Sequence, residues 1–187
     1  DAIKSKYNIL MECATSEKEG LFVNTEVLKR AGYNVEIHIL GVSSLNSAMS
    51  AHERYEALLE INDNAAKLTS IERHDDSYNS LGKTIMEEQR KKGVKINVYK
   101  RGTKRPFIPE EIYNQTDKKL RYSCPYEALI DAQSQDLQKT LPTFEKRYNI
   151  LLNQMEIRQA PQKQIDQLEK IKQRYEQIVQ KTNGKEI

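Results

Sequence analysis

Val35-Glu36-Ile37-His38-Ile39-Leu40 alternates apolar and polar side chains over its first residues, the period of a strand with one face buried. Reading back from it, Gly32 is placed to close a helix as a C-cap. That helix is predicted from about Ser16 to Arg30. Ser16 is its N-cap, Glu19 completes a capping box, and Phe22, Val23, Val27 and Leu28 form its apolar face. Further back, Tyr7-Asn8-Ile9-Leu10-Met11-Glu12-Cys13 reads as a buried strand ending on a carboxylate. Strand, helix, strand over roughly thirty residues is a βαβ unit, and a βαβ unit implies a parallel sheet.

Reading forward, Ser43 or Ser44 starts a long helix through Tyr55 and Leu59. A second helix is predicted from about Ser70 to Lys92, ended by Gly93. Val94-Lys95-Ile96-Asn97-Val98-Tyr99 alternates cleanly and reads as a third strand. Gly102, Pro106 and Pro109 mark a loop, with a short helical turn near Pro109-Glu110-Glu111. Pro125 opens another helix. Leu141, Phe144, Tyr148, Leu151 and Met155 then recur at spacings of three and four. Ala160-Pro161 interrupts the pattern, and Ile165, Leu168, Ile171, Tyr175 and Ile178 resume it. This is an antiparallel helical hairpin in heptad-like register, most simply packed on its own domain or on itself. The fold class is therefore α/β, with about three strands flanked by helices and a C-terminal helical hairpin. The predicted division is an α/β half-domain over 1–133 and the hairpin over 134–187.

Composition agrees with a lean core. The 187 residues are 37% hydrophobic and 30% charged, with a mean hydropathy of −0.78. The net charge of +3 comes from 30 basic and 27 acidic side chains whose signs alternate along most helices, so a nucleic-acid partner is not expected. Arg90-Lys91-Lys92 and the cluster Lys100, Arg101, Lys104, Arg105 are local exceptions and read as a solvated helix end and loop. Cys13 and Cys124 have no pairing that suggests a disulfide framework or zinc site, which points to a reducing, cytoplasmic setting. No apolar run approaches the ~20 residues that span a bilayer, so no membrane partner is expected.

Few residues stand out chemically. Glu12 is predicted at the C-terminal end of the first strand, the edge where open α/β sheets bind ligands. Arg54, in Arg54-Tyr55-Glu56, could read phosphates through its planar fork, although on a helix surface it is more often an ion-pair partner of neighbouring acids. Lys67 could add a second positive charge, and an ordinary solvated lysine is the plainer reading. Leu81-Gly82-Lys83-Thr84 matches the tail of a phosphate-binding loop but fails as one. Ser77 stands where the motif needs glycine, and the segment lies inside a predicted helix. His38, predicted on a strand face, His52, predicted on a helix surface, and His74 show no metal-ligand spacing. No metal site is expected from this chain.

The stretch Tyr7 to Glu56 resembles the zeta-toxin kinases, P-loop kinases that form the toxin of epsilon/zeta toxin–antitoxin systems. The similar pieces are the segment ending in Glu12, Leu28-Lys29-Arg30-Ala31-Gly32-Tyr33, Val35 to Gly41, and Ala51-His52-Glu53-Arg54-Tyr55-Glu56. The likeness continues to Lys67 and fades around Tyr99, so it covers roughly the first half of the chain. The resemblance implies a partial P-loop-kinase-like parallel sheet. It also implies an intact enzyme that moves the ATP γ-phosphate to a hydroxyl of a UDP-activated amino sugar. By the same resemblance Glu12 corresponds to an acid lining the sugar-nucleotide site, Arg54 to an arginine on the ATP phosphates, and Lys67 to a second such arginine. After the acid the family has Gly-Thr and then an arginine two positions beyond the Thr. Here Cys13-Ala14-Thr15-Ser16 puts Ala14 and Ser16 at the two gripping positions, and Thr15 is the candidate to stand in.

The family's P-loop and its catalytic aspartate lie upstream of the similar region, so no catalytic residue is assigned in this chain. ATP and Mg2+ are expected only together with the N-terminal half. Three functions follow as expectations. The first is a portion of an ATP-dependent kinase acting on a hydroxyl of a nucleotide sugar or related small molecule, completed by an upstream half-domain or a second chain and inactive without it. The second is a degenerate, non-catalytic module for protein–protein interaction. The third, a nucleic-acid binder, rests only on the basic loop. An antitoxin-like protein and a small-molecule acceptor are the expected partners.

Overall fold

The structure, a computed structural model, describes residues 1–12, 21–61, 64, 66–102, 108–117 and 121–183. The element order is α1 (Leu21–Arg30), β1 (Val35–Gly41), α2 (Ser44–Glu60), α3 (Ile71–Glu88), β2 (Val94–Lys100), β3 (Glu110–Asn114), α4 (Pro125–Thr140), a 3-10 turn (Leu141–Thr143), α5 (Phe144–Ile157) and α6 (Gln162–Asn183). The chain forms two compact units. The first comprises 1–41 and 75–132, the second 42–74 and 133–187, so the hairpin is joined by residues 42–74.

In the first unit, strand order is β1-β2-β3. β1 and β2 are parallel in unbroken register from Val35↔Val94 to Gly41↔Lys100. The alternation along β1 is realised residue by residue, with Val35, Ile37, Ile39 and Gly41 buried and Glu36, His38 and Leu40 exposed. Val35, Ile37, Ile39, Val94, Ile96 and Val98 meet Ile85 of α3 and Ala128 and Leu129 of α4 in one core. Gly41 is required there, because a Cβ on it would lie 2.4 Å from the Ala132 Cβ. Closure of α1 follows its sequence signal. Gly32 takes φ +87°, with Tyr33 N–H donating to Leu28 C=O (3.0 Å) and Gly32 N–H to Lys29 C=O (2.9 Å). Buried Glu88 accepts from Thr25 (3.2 Å) and from Lys91 (2.7 Å), tying α1 to α3.

Two strand expectations change. Residues 7–12 are not a strand; Leu10 is 95% exposed and Tyr7 66%. An apolar run becomes a strand only beside a ladder partner. Among the described residues this one has none, and Tyr7 C=O accepts instead from the Tyr33 hydroxyl (2.9 Å). The third strand is β3, read from sequence as loop and helical turn, and it runs antiparallel to β2 with an irregularity between Val98 and Tyr99. Its two glutamates are poor strand formers. Cross-strand pairs offset this: Lys100 meets Glu110 at 2.9 Å, and Tyr99 donates to Glu111 at 3.1 Å. Residues 13–20, which hold the expected capping box and Thr15, and residues 103–107 lie outside the described residues.

The second unit is helical. Every hairpin position picked out by spacing is buried or half-buried, with Phe144, Met155, Leu168 and Ile171 fully enclosed. They pack with Leu45, Ala48 and Met49 of α2 and with Ile71. α5 ends in the same closure as α1. Ala160 N–H donates to Met155 C=O (2.8 Å) and Gln159 N–H to Glu156 C=O (3.0 Å), but Gln159 carries the left-handed φ of 56°. A side chain there is strained. Gln159→Gly is therefore expected to raise stability by about 0.5–1 kcal/mol, the relief being partly offset by the extra freedom glycine gives the unfolded chain. A shift of the denaturation midpoint to higher urea checks it.

Candidate functional site

α2 carries the residues closest to a site. Its N-terminus is capped twice. The Ser43 hydroxyl accepts from Asn46 N–H (3.3 Å), and the buried Asp136 carboxylate of α4 accepts from Ser43 N–H (2.8 Å), Ser43 O–H (2.7 Å) and the Asn46 amide (2.9 Å). A carboxylate at a helix N-terminus satisfies orphan N–H groups and meets the positive end of the helix dipole. Along the helix, Leu45, Met49, His52 and Glu56 turn toward the core, as spacings of three and four require.

Two arginines of the hairpin engage α2. Arg147 forms a two-point pair with Glu53, Nε and an Nη each 2.7 Å from a carboxylate oxygen, and also reaches Asn46 (2.8 Å) and Ser50 (3.2 Å). Arg158 forks onto buried Glu56 at 2.5 and 2.6 Å and lies 5.7 Å over the Tyr55 ring. These bonds hold the Arg158 guanidinium above its ordinary pKa. Sequence reading missed Asp136, Arg147 and Arg158 as members of one network. No local pattern marks them, because their partners are 90 or more residues away.

Arg54 stands apart from that network. It follows Glu53 by one residue and precedes Glu56 by two, spacings at which helix side chains do not face each other. Both acids are held by arginines from α5 and the residue that ends it. Arg54 is exposed and makes no ion pair among the described residues. Lys67, in the same unit, is exposed on the irregular segment before α3. Glu12 belongs to the first unit and is exposed at the end of the irregular 7–12 segment rather than closing a strand. Leu81-Gly82-Lys83-Thr84 lies within α3, as expected of an ordinary helical stretch. Among the described residues no group of three or more His, Cys, Asp and Glu is placed to hold a metal ion. No helix there is long and apolar enough to cross a membrane.

His52 is a correction. Expected on a helix surface, it is 2% exposed, one turn from Met49 and from Glu56 on the packed face. Among the described residues its Nδ1 has no hydrogen-bond partner. Burial pushes its pKa down to about 4, opposed by Glu56 and assisted by Arg158. Its stability contribution is intact above the unfolded value near 6.5. It is lost as pH falls toward 4, because the unfolded chain takes up a proton that the folded chain refuses. The expected loss is on the order of 3 kcal/mol between pH 7 and pH 4. Urea midpoints measured across that range check it, and His52→Leu should flatten this part of the slope.

Comparison with known proteins gives two results. A family model described as Zeta toxin matches residues 1–114. The chain is also similar to Toxin PezT of Streptococcus pneumoniae, 29% identical over 148 residues. That alignment takes in 79% of this chain and 56% of the relative, so the chain spans about half the length of the curated relative it matches.

Proposed function

The chain belongs to the zeta toxin family, and on that premise we propose that it is a portion of an ATP-dependent kinase that phosphorylates a hydroxyl of a nucleotide sugar or related small molecule. In this reading Arg54 and Lys67 bind ATP phosphates, while Glu12 and Thr15 serve the acceptor. The observation that carries it is the state of Arg54: an exposed, helix-borne guanidinium with no ion-pair partner among the described residues keeps its fork available for an anionic ligand. Glu12, as a carboxylate, can accept a hydrogen bond from an acceptor hydroxyl. Phosphoryl transfer depends on positioning and charge neutralisation, and this chain contributes cations to that task. The phosphate-binding loop and the Mg2+ ligands are assigned to an upstream half-domain or a second chain. Among the described residues no cluster of three or more carboxylates is placed to hold Mg2+. An antitoxin-like protein is the proposed partner.

The test is ATP titration of a protein in which this chain is joined to a P-loop half. Arg54→Ala is expected to weaken ATP binding about tenfold or more, the loss of charge-assisted hydrogen bonds. Glu12→Gln should leave ATP binding unchanged and raise the KM for the acceptor. Unaltered ATP affinity in Arg54→Ala would sink the assignment. A second reading, a non-catalytic interaction module, is favoured by Ala14 and Ser16 at the positions where the family grips its acceptor. Phosphoryl transfer by the completed protein would exclude it.

A further inference from the structure

The side of β1 turned away from the core holds a chain of hydrogen bonds that neither the hydrophobic core nor the proposed kinase chemistry uses. Glu36 and His38, two apart on β1, project to the same side. Both are about half exposed, at 45% and 53% of their side chains. His38 Nδ1 lies 3.0 Å from the Tyr99 hydroxyl, and that hydroxyl donates to Glu111 at 3.1 Å. The direction of each bond follows from counting protons. Tyr99 has one hydroxyl proton, and the Glu111 carboxylate can only accept it. The phenol oxygen must then accept from His38, so Nδ1 carries the ring hydrogen. In the neutral ring Nε2 then holds the lone pair, 3.8 Å from Glu36 Oε2.

This is the arrangement of a metal-binding histidine. Such a residue donates its second ring N–H to an acceptor that fixes its tautomer and orientation. We propose that Glu36 and His38 bind a divalent transition-metal ion, with Tyr99 and Glu111 as positioning residues for the imidazole. In a tetrahedral zinc site, Zn–N and Zn–O distances of ~2.0–2.2 Å place ligand atoms about 3.4 Å apart. The observed 3.8 Å closes to that with a few tenths of an ångström of side-chain movement. Imidazole with carboxylate suits zinc, nickel or copper better than magnesium or calcium. Two protein ligands leave the remaining positions to water, so the site is open. One neighbour opposes it: Lys95 holds Glu36 Oε1 at 3.1 Å and places a positive charge beside the ion.

The experiment uses the whole chain and Zn2+ alone, read by imidazole 15N–1H correlation and by calorimetry. Without metal, His38 is expected as the Nδ1–H tautomer, and Zn2+ is expected to shift its Nε2 resonance. His38→Ala should abolish that binding. Tyr99→Phe and Glu111→Gln, which remove no ligand, should each weaken it about 10–100-fold. Lys95→Met should tighten it. A dominant Nε2–H tautomer, an imidazole unmoved by Zn2+, equal affinity in Tyr99→Phe, or zinc that follows the Cys124 thiol instead would each overturn the proposal.

Discussion

Arg158→Ala is expected to lower stability by about 3 kcal/mol at pH 7, measured as the shift of a urea denaturation curve. Glu56 is only 4% exposed by its side chain, and Arg158 supplies both of its charge-assisted bonds. Removing the arginine leaves a buried carboxylate unpaired, a change worth about 3–5 kcal/mol. The lower end applies because Arg158 is itself a quarter exposed and water can reach part of the gap. The variant should also change the pH profile. Arg158 depresses the His52 pKa and Glu56 raises it. Without the arginine, His52 one turn away takes up a proton more readily and offsets the orphaned charge. The destabilisation should therefore be smaller at pH 5 than at pH 8. Replacing both partners, Glu56→Met with Arg158→Met, should recover most of the loss, since an apolar pair leaves nothing unsatisfied. A single variant as stable as the parent would show that the pair is solvated in the folded chain.

Phe144→Ala is expected to remove about 3–5 kcal/mol, the range for deleting a fully buried aromatic ring. Phe144 is 0% exposed and stacks on Tyr175 with ring centres 4.3 Å apart. It also stands at the head of α5, where the 3-10 turn delivers the chain into the hairpin. The loss is a large fraction of the 5–15 kcal/mol that holds an ordinary protein folded. Hydrogen exchange is the sharper readout: amides of α5 and α6 should lose protection. Phe144→Leu, which refills most of the volume, should cost under half as much. Equal effects from both replacements would show that the stacked ring itself, rather than the filled space, is what matters.

Parts of the fold were legible because their cause is local. Heptad-like spacing alone predicts which hairpin residues are enclosed, since a helix turns its side chains by a constant angle. β1 and β2 announced themselves by alternation, and Gly32 by the left-handed closure it permits. The failures have non-local causes. Residues 7–12 have a strand's side chains but, among the described residues, no strand beside them. β3 has the wrong side chains and is held by pairing with Lys100 and Tyr99. His52 looked like a surface residue because its neighbours Glu53 and Arg54 are polar, yet helix geometry gives it the face of Met49. At the candidate site, a resemblance could single out Arg54. Its exposure without an ion-pair partner among the described residues follows from helix spacing, whereas the pairing of the acids beside it depends on side chains 94 and 102 residues further along.

The capping of α2 by Asp136 sets an order of events during synthesis. Ser43 and the carboxylate that completes its bonding are separated by 93 residues. A nascent chain therefore emerges with the start of this helix unfinished, and it stays so until α4 has cleared the ribosome. The first unit has all its residues by position 132, whereas the second awaits the final helix. Release of a chain stopped before residue 136 would leave α2 with only its local Ser43 cap and with its apolar face unserved, a species that chaperones and proteases are equipped to find.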